Sequence, residues 1–550
     1  MYYTSTRDKS IRISSAEAIT KGISAEGGLF VPTEIPHITL DDIKRIGTLP
    51  YTGRAKEILK LYLTDFTEDE LNYCVEGAYK KSSFSSEKIA PLYKISDKES
   101  ILELWRGPTC AFKDMALQLL PYLLSVSASK TLKDTKIVIL VATSGDTGKA
   151  ALEGFKDVDN TQILVFYPVD GVSPMQKLQM TTQEGNNVSV CAIKGNFDDA
   201  QSGVKSIFTN SEIKKKFAEN HLAFSSANSI NWGRLVPQIV YYVSAYCDMV
   251  ENGSLKLGEE MNVVVPTGNF GNILAAYYAK RMGVPIGKLI CASNSNNVLT
   301  DFLKTGTYDK NRNFYCTASP SMDILISSNL ERLLFHLSGE NDAEVREYMK
   351  LLANSGKYTV GEQLFEKIKE LWPEVYVCPS VDITREWREY ERTSTAVLNA
   401  YVMPVASSYL NRLGQRLTDA GMPENRYIMQ SNGGTTTFEQ AKLTPVNIVE
   451  SGPVAGVFGA SILGKIIGEP NIIAFDVGGT TAKCSLIDQG AVKVTTSYYI
   501  EKDERHAGYP IMAPVVDIVE IGNGGGSIAW IDEGGSLKVG PKSAGALPGP

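Results

Sequence analysis

From about residue 137 the chain alternates short apolar, β-branched or aromatic runs with amphipathic stretches. The pattern predicts strands over 137–142, 163–167 and 188–193, with helices over 149–155, 174–180 and 198–208 following them in turn. It continues with a helix over 237–250, a strand over 262–265, a helix over 273–282 closed by Gly283, and a strand over 288–292. Such alternation is the signature of βαβ units, and so of an α/β fold with a parallel sheet covered by helices on both faces. Ligands of such sheets sit beyond the carboxyl ends of the strands, so the loops that follow strands are where chemistry is expected. Beyond residue 374 the pattern changes. Helices over 385–399 and 403–417 precede a strand over 472–475, a returning strand over 483–487 and a turn at 488–490.

Composition narrows the function classes. At 550 residues the chain is long enough for two to four domains. A hydrophobic content of 43% with 21% charged residues is that of a globular protein, and the apolar runs are of buried-strand length rather than bilayer length. A net charge of −7 gives no general basic surface, which argues against a nucleic-acid partner. Only four histidines occur (His37, His221, His336 and His506), none near another, so no metal site is expected. The eight cysteines form no CxxC pair and the amino terminus has no apolar signal core, which together predict a cytoplasmic protein. Glycine marks a seam: 22 of the 47 glycines lie after residue 370.

Three segments of the first part carry candidate chemistry. The strand ending at Ala142 runs into Thr143-Ser144-Gly145-Asp146-Thr147-Gly148, whose free amides at a helix start suit a carboxylate or phosphate. An ordinary N-cap reads the same way. It is not a Walker loop, because Thr143 and Ala150 stand where that motif needs glycine and a hydroxyl residue. A second turn, Pro266-Thr267-Gly268-Asn269-Phe270-Gly271-Asn272, has two glycines that let amides close on a phosphate. Two such loops on one sheet suggest one anionic ligand group each. Third, Lys113 in Gly107-Pro108-Thr109-Cys110-Ala111-Phe112-Lys113-Asp114 opens an apolar helix pattern over 115–124. A lysine there either snorkels to water or is buried, and burial makes it a competent amine nucleophile.

Together these segments resemble threonine synthase. The likeness includes Tyr3 to Arg7, Gly22 to Pro32, Gly107 to Asp114, Ala142 to Gly148, Ser229-Ile230-Asn231-Trp232-Gly233-Arg234 and Gly268 to Asn272, and covers about residues 1–370. It implies a fold-type II pyridoxal 5'-phosphate enzyme, with a small amino-terminal domain over 1–80 and a catalytic region over 81–370. It also implies a carbon–oxygen lyase that converts O-phosphohomoserine and water to threonine and phosphate. On the resemblance, Lys113 carries the cofactor as a Schiff base and moves protons at the substrate's α and β carbons. Gly268, Asn269, Phe270, Gly271 and Asn272 form the cofactor-phosphate loop. Ser144, Asp146 and Thr147 face the substrate's anionic groups, and Arg234 grips its phosphate as a planar fork. The family's carboxyl-terminal section, which supplies a hydroxyl partner for the pyridine nitrogen, is not found after residue 370, so impaired activity is expected.

Residues 371–550 resemble the hydantoinase A and 5-oxoprolinase family through Arg392 to Tyr401, Met429 to Gly434, Ser451 to Gly456, Asp476-Val477-Gly478-Gly479-Thr480-Thr481 and Gly524 to Trp530. This implies part of an actin-like ATPase domain, with ATP-dependent opening of a cyclic amide as the alternative activity. An inactive chimeric product of two gene segments is the third reading. Oligomeric state is left open.

Overall fold

The computed structural model describes residues 1–143, 145–169, 172–195, 197–315, 317, 319–371, 380–479, 481–496, 498–502 and 506–544. It divides into two compact units, Met1–Cys316 with Pro320–Val375 and Thr317–Ser319 with Tyr376–Pro550. The compositional seam at Leu371-Trp372-Pro373-Glu374 lies, except for Leu371, outside the described residues.

In the first unit, a three-stranded antiparallel sheet (Tyr3–Ser5, Asp8–Ile13, Phe30–Pro32) is followed by helices Leu40–Gly47, Tyr51–Tyr62 and Glu68–Ala78. Capping boxes at Ser14, Thr39 and Thr67 satisfy the amides that open three of its helices. Trp232, wholly buried, receives Tyr3, Tyr62 and Tyr278 around its ring at centroid distances of 5.4, 5.6 and 5.5 Å. Each such aromatic pair adds about 0.5–1.5 kcal/mol beyond the area it buries. The amino-terminal segment is thereby packed onto the helix Trp232–Glu251.

The wound region follows the expected alternation: strands Lys136–Ala142, Thr161–Pro168 and Val188–Ile193, with helices Asp146–Phe155, Pro174–Thr181 and Phe197–Thr209. Pairing corrects the expectation of one sheet. Lys136–Ala142 lies between Thr161–Pro168 and a short edge strand, Leu222–Ser225, in a four-stranded parallel sheet. Met261–Pro266 and Ile286–Ala292 form a separate two-stranded parallel sheet. Periodicity reports that a segment is extended and buried; it does not encode its partner.

Three helix expectations also change. The pattern over 115–124 is broken into Asp114–Leu117 and Leu120–Thr131, because Pro121 has no N–H to continue a helix and instead opens a new one. The helix expected from 237 begins at Trp232, where the Asn231 side chain caps Gly233 N, and Pro237 is carried inside its second turn. The two helices expected over 385–399 and 403–417 are one, Glu389–Asp419, passing through Pro404. Thr395, Asn399, Met403, Ser407 and Leu410 form a buried stripe with helical spacing along it, so packing on one face outweighs the hydrogen bond lost at the proline.

In the second unit the helix Ser451–Ile467 covers one face of a sheet built from Ile472–Val477, Ala482–Asp488, Ala491–Val492 and Val519–Ile521. Val454, Val457, Ile487 and Val516 make its core. The expected hairpin is present, with Ile472 paired to Ile487 and Val477 to Ala482. The opposite face is uncovered: Ile473, Phe475, Val477, Leu486, Val519 and Ile521 are each more than half exposed. No helix among the described residues is long and apolar enough to cross a membrane.

Candidate functional site

The turn that carries Lys113 is folded back on Asp114. That carboxylate accepts from Thr109 N at 2.8 Å and Thr109 Oγ1 at 2.6 Å, and is fully buried. Burial raises the Asp114 pKa and the Thr109 bonds oppose it. A Cβ at Gly107 would lie 2.5 Å from the Asp114 Cβ, so the turn closes only with glycine there. Lys113 follows as the cap of Asp114–Leu117 with its side chain inside, 12% exposed.

Lys113 Nζ donates to Ser321 Oγ at 3.1 Å and lies 3.9 Å from Asp146 Oδ2. Ser321 Oγ donates to the same Asp146 oxygen. Asp146 Oδ1 accepts from Gln176 Nε2 at 3.0 Å and is 3.5 Å from Lys149 Nζ, which donates to Thr109 O at 3.1 Å. Burial lowers the Lys113 pKa to about 8; Asp146 opposes the fall, while Arg234 and Lys149 add to it. Burial alone would raise Asp146, but Lys113, Ser321, Lys149 and Gln176 hold it below the usual carboxylate range.

Asp146 is delivered by the loop after strand Lys136–Ala142. Thr143 Oγ1 accepts from Gly145 N and Gly148 N, both at 3.0 Å, which explains a threonine at the position where a Walker loop has glycine. Gly145 has φ of 152°, a conformation side chains rarely adopt, and a Cβ there would meet Gln176 at 2.5 Å. Ser144 lies outside the described residues. Thr147 is the second residue of the helix Asp146–Phe155 and is half-buried.

The second glycine loop reaches the same place. A Cβ at Gly268 would stand 2.8 Å from Ser321 O and 3.3 Å from Met322 Cα, so Ser321 backs the loop with its carbonyl and contacts Lys113 with its hydroxyl. Asn269 is exposed, and Phe270, buried and left-handed at φ 63°, precedes the helix Gly271–Arg281. That helix's first backbone bond runs from Leu274 N to Phe270 O, so the amides of Gly271, Asn272 and Ile273 have no partner within the helix. The Asn272 Oδ1 accepts from the hydroxyls of Tyr241 and Tyr242.

Arg234 is 5% exposed, and its pKa is lowered to about 10 by burial. Nη1 donates to Ala227 O at 2.9 Å, while Nε has no hydrogen-bond partner and no carboxylate among the described residues neutralises it. A buried guanidinium left in that condition is costly unless an anion completes it. The structure thus brings Lys113, Asp146 and Arg234 into one electrostatic neighbourhood, with Gly268 against the backbone of Ser321.

Sequence reasoning missed Ser321, Lys149 and Gln176. Ser321 lies in Ser319-Pro320-Ser321-Met322, a stretch with neither apolar period nor motif, so nothing local marks it. Among the described residues no group of three or more His, Cys, Asp or Glu could hold a metal ion.

Residues 2–79 match the family of the threonine synthase N terminus, 101–363 the pyridoxal-phosphate dependent enzymes, and 392–550 the hydantoinase/oxoprolinase family. The threonine synthase of Pseudomonas aeruginosa is 39% identical over 381 residues, covering 68% of this chain and 77% of the relative. Threonine synthase-like 1 of Homo sapiens is 41% identical over 365 residues, covering 64% of this chain. This chain spans 49% of that relative's length. Among solved structures, the PLP-bound threonine synthase from Brucella melitensis superposes with a TM-score of 0.62 at 39% identity, covering 67% of this chain and 76% of that one. The yeast threonine synthase gives 0.61 at 36% identity, covering 67% and 74%. The chain therefore belongs to the threonine synthase family of pyridoxal-phosphate-dependent enzymes, and carries a hydantoinase/oxoprolinase segment over residues 392–550.

Proposed function

We propose that this protein acts as a threonine synthase, a carbon–oxygen lyase converting O-phosphohomoserine and water to threonine and phosphate with pyridoxal phosphate. One observation carries the reading: a buried amine, Lys113, 3.1 Å from the hydroxyl of Ser321, whose own carbonyl backs the glycine loop at Gly268. The residues fit the cofactor on two counts, and a buried cation remains for the substrate. Lys113 is an amine of lowered pKa, suited to join an aldehyde. The amides at the start of Gly271–Arg281 suit its phosphate, and Gly268 has no room for a side chain. Arg234 is a buried cation with an unused Nε.

When bound, the cofactor supplies an electron sink for charge that develops on carbon. The remaining work falls to the chain. Lys113 holds and moves protons at the α and β carbons, with its protonation state set by Asp146 through Ser321. Arg234, with the Ser144 to Thr147 turn, binds the substrate's phosphate and carboxylate. In the net reaction the bond from the γ carbon to the phosphate oxygen breaks, the β carbon loses one hydrogen as a proton and takes the hydroxyl of water, the γ carbon gains a proton, and the remaining water proton leaves with the phosphate.

Phosphate release from O-phosphohomoserine by the full chain loaded with pyridoxal phosphate tests this directly. Release that vanishes in Lys113→Ala supports the reading; no release from the fully loaded protein overturns it.

A second activity has its own observation: Asp476 is the penultimate residue of the strand Ile472–Val477, in a hairpin within the stretch that matches the hydantoinase/oxoprolinase family. ATP hydrolysis stimulated by 5-oxoproline or a hydantoin would support ATP-dependent opening of a cyclic amide by this segment.

A further inference from the structure

Two consecutive carbonyls of the glycine loop are tied to one neighbouring segment. Ser327 Oγ donates to Gly268 O at 2.7 Å. Asn329 donates twice to Asn269 O, from its backbone N–H at 3.1 Å and from its side-chain amide at 3.2 Å. In a trans peptide unit the C=O and the N–H point in opposite directions. Carbonyls of Gly268 and Asn269 held toward Ser327 and Asn329 therefore send the N–H groups of Asn269 and Phe270 to the other side. There they lie beside the amides of Gly271, Asn272 and Ile273, which have no partner within the helix Gly271–Arg281, and the left-handed turn at Phe270 brings the two sets together.

Asn329 is itself held firmly. It is fully buried, its Nδ2 also donates to Ser229 O at 3.1 Å, and its Oδ1 accepts from Arg332 Nη1. Arg332, also fully buried, donates from Nε to Phe30 O at 3.0 Å and from Nη2 to Ile230 O at 2.6 Å. A guanidinium whose Nε, Nη1 and Nη2 each donate to a neutral oxygen acts as a cross-brace between three backbone segments rather than as an ion-pair partner.

We propose that Ser327 and Asn329, the latter braced by Arg332, are positioning residues that aim the loop amides of residues 269 and 270 at the phosphate of the cofactor. This rests on the cofactor reading above, and the experiment separates the two. Equilibrium binding of pyridoxal phosphate and of pyridoxal, which lacks the phosphate, is measured on the full chain stripped of cofactor. The wild-type protein is expected to prefer pyridoxal phosphate strongly. In Asn329→Ala the affinity for pyridoxal phosphate should fall tenfold or more while that for pyridoxal changes less than threefold, so that the preference narrows. General loosening of the fold would weaken both alike.

An Asn329→Ala protein that keeps the full preference overturns the proposal, and so does one in which both affinities fall equally. Should that variant not fold, Ser327→Ala decides by the same ratio, because it leaves Asn329 and Arg332 in place. A narrowed preference then supports the proposal and an unchanged one overturns it. A wild-type protein that binds both compounds equally removes the cofactor reading itself.

Discussion

Lys113 and Asp146 face each other across 3.9 Å, and both are bonded to one hydroxyl, that of Ser321. Asp146 is the charge that opposes the fall of the Lys113 pKa, since burial, Arg234 and Lys149 all push it down. Asp146→Asn should therefore lower the Lys113 pKa further below about 8, by roughly 1 unit for an opposite charge at this range. The check is the pH dependence of amine acylation at Lys113 in cofactor-free protein, read by mass spectrometry. A midpoint that stays in place or rises would mean Asp146 does not act on this amine.

The same burial makes Lys113 a burden on the cofactor-free fold. Its pKa is about 8 folded against an ordinary 10.5. Below pH 8 the lysine is charged in both states and the cost of burying it is fully felt. Between about 8 and 10.5 the unfolded chain holds more protons, so this group's contribution to stability improves as pH rises and the cost is gone above 10.5. Lys113→Met should raise the stability of cofactor-free protein by ~2 kcal/mol at pH 7 and by little at pH 10.5. Urea unfolding at the two pH values measures it, and equal effects at both would contradict the charge-burial account.

Much of this was legible in the sequence, for identifiable reasons. The strands at 137–142 and 188–193 announce themselves by β-branched runs, and the glycine loops by turn chemistry that only those residues allow. Lys113 was legible only through its motif, because a lone lysine at a helix start is ordinarily solvated. Ser321, 208 residues away in sequence, reaches Lys113 through tertiary structure alone. The split into two sheets was invisible for a related reason: Met261–Pro266 has the same local pattern whether or not it joins the four-stranded sheet. The expected break between 399 and 403 does not occur, and only the buried stripe from Thr395 to Leu410 explains why the helix continues.

His336 offers an acid-side test. Burial first, then the charges of Arg281 and Arg332, push its pKa down to about 3 from an ordinary 6.5, and Tyr278 Oη sits 2.7 Å from its Nε2. The neutral ring contributes fully above pH 6.5. As pH falls from 6.5 toward 3 the unfolded chain takes up a proton that the folded one refuses, so stability is lost at up to about 1.4 kcal/mol per pH unit. His336→Gln should shallow that acid loss. In NMR spectra the His336 ring should show no titration between pH 5 and 8, and a midpoint near 6.5 would refute its burial as neutral imidazole.

Gly268→Ala tests the close approach of the loop to Ser321. The added methyl would meet Ser321 O at 2.8 Å and Met322 Cα at 3.3 Å, both backbone atoms that cannot swing aside as a side chain does. The loop must shift, at a cost of about 1–3 kcal/mol by analogy with overpacked cores. Thermal melts of the cofactor-free protein should register that loss, and pyridoxal phosphate binding should weaken with it. Unchanged melting and binding would show that the loop has slack.

The uncovered sheet face of the second unit gives a prediction of the opposite kind, where removing apolar surface helps. Ile473 pairs with Leu486 across the hairpin, and Cys484 pairs with both Phe475 and Val519, so the exposed side chains form one continuous patch rather than scattered contacts. Patches of this sort bind apolar dyes and promote association, whereas singly exposed residues do not. Replacing Phe475 and Leu486 with threonine keeps strand-compatible residues on the pleat and removes the two largest apolar groups of the hairpin from water. Anilinonaphthalene sulfonate fluorescence should drop severalfold in the double variant, with the melting temperature unchanged or raised. A loss of stability with undiminished dye binding would mean that these side chains are buried against other apolar groups.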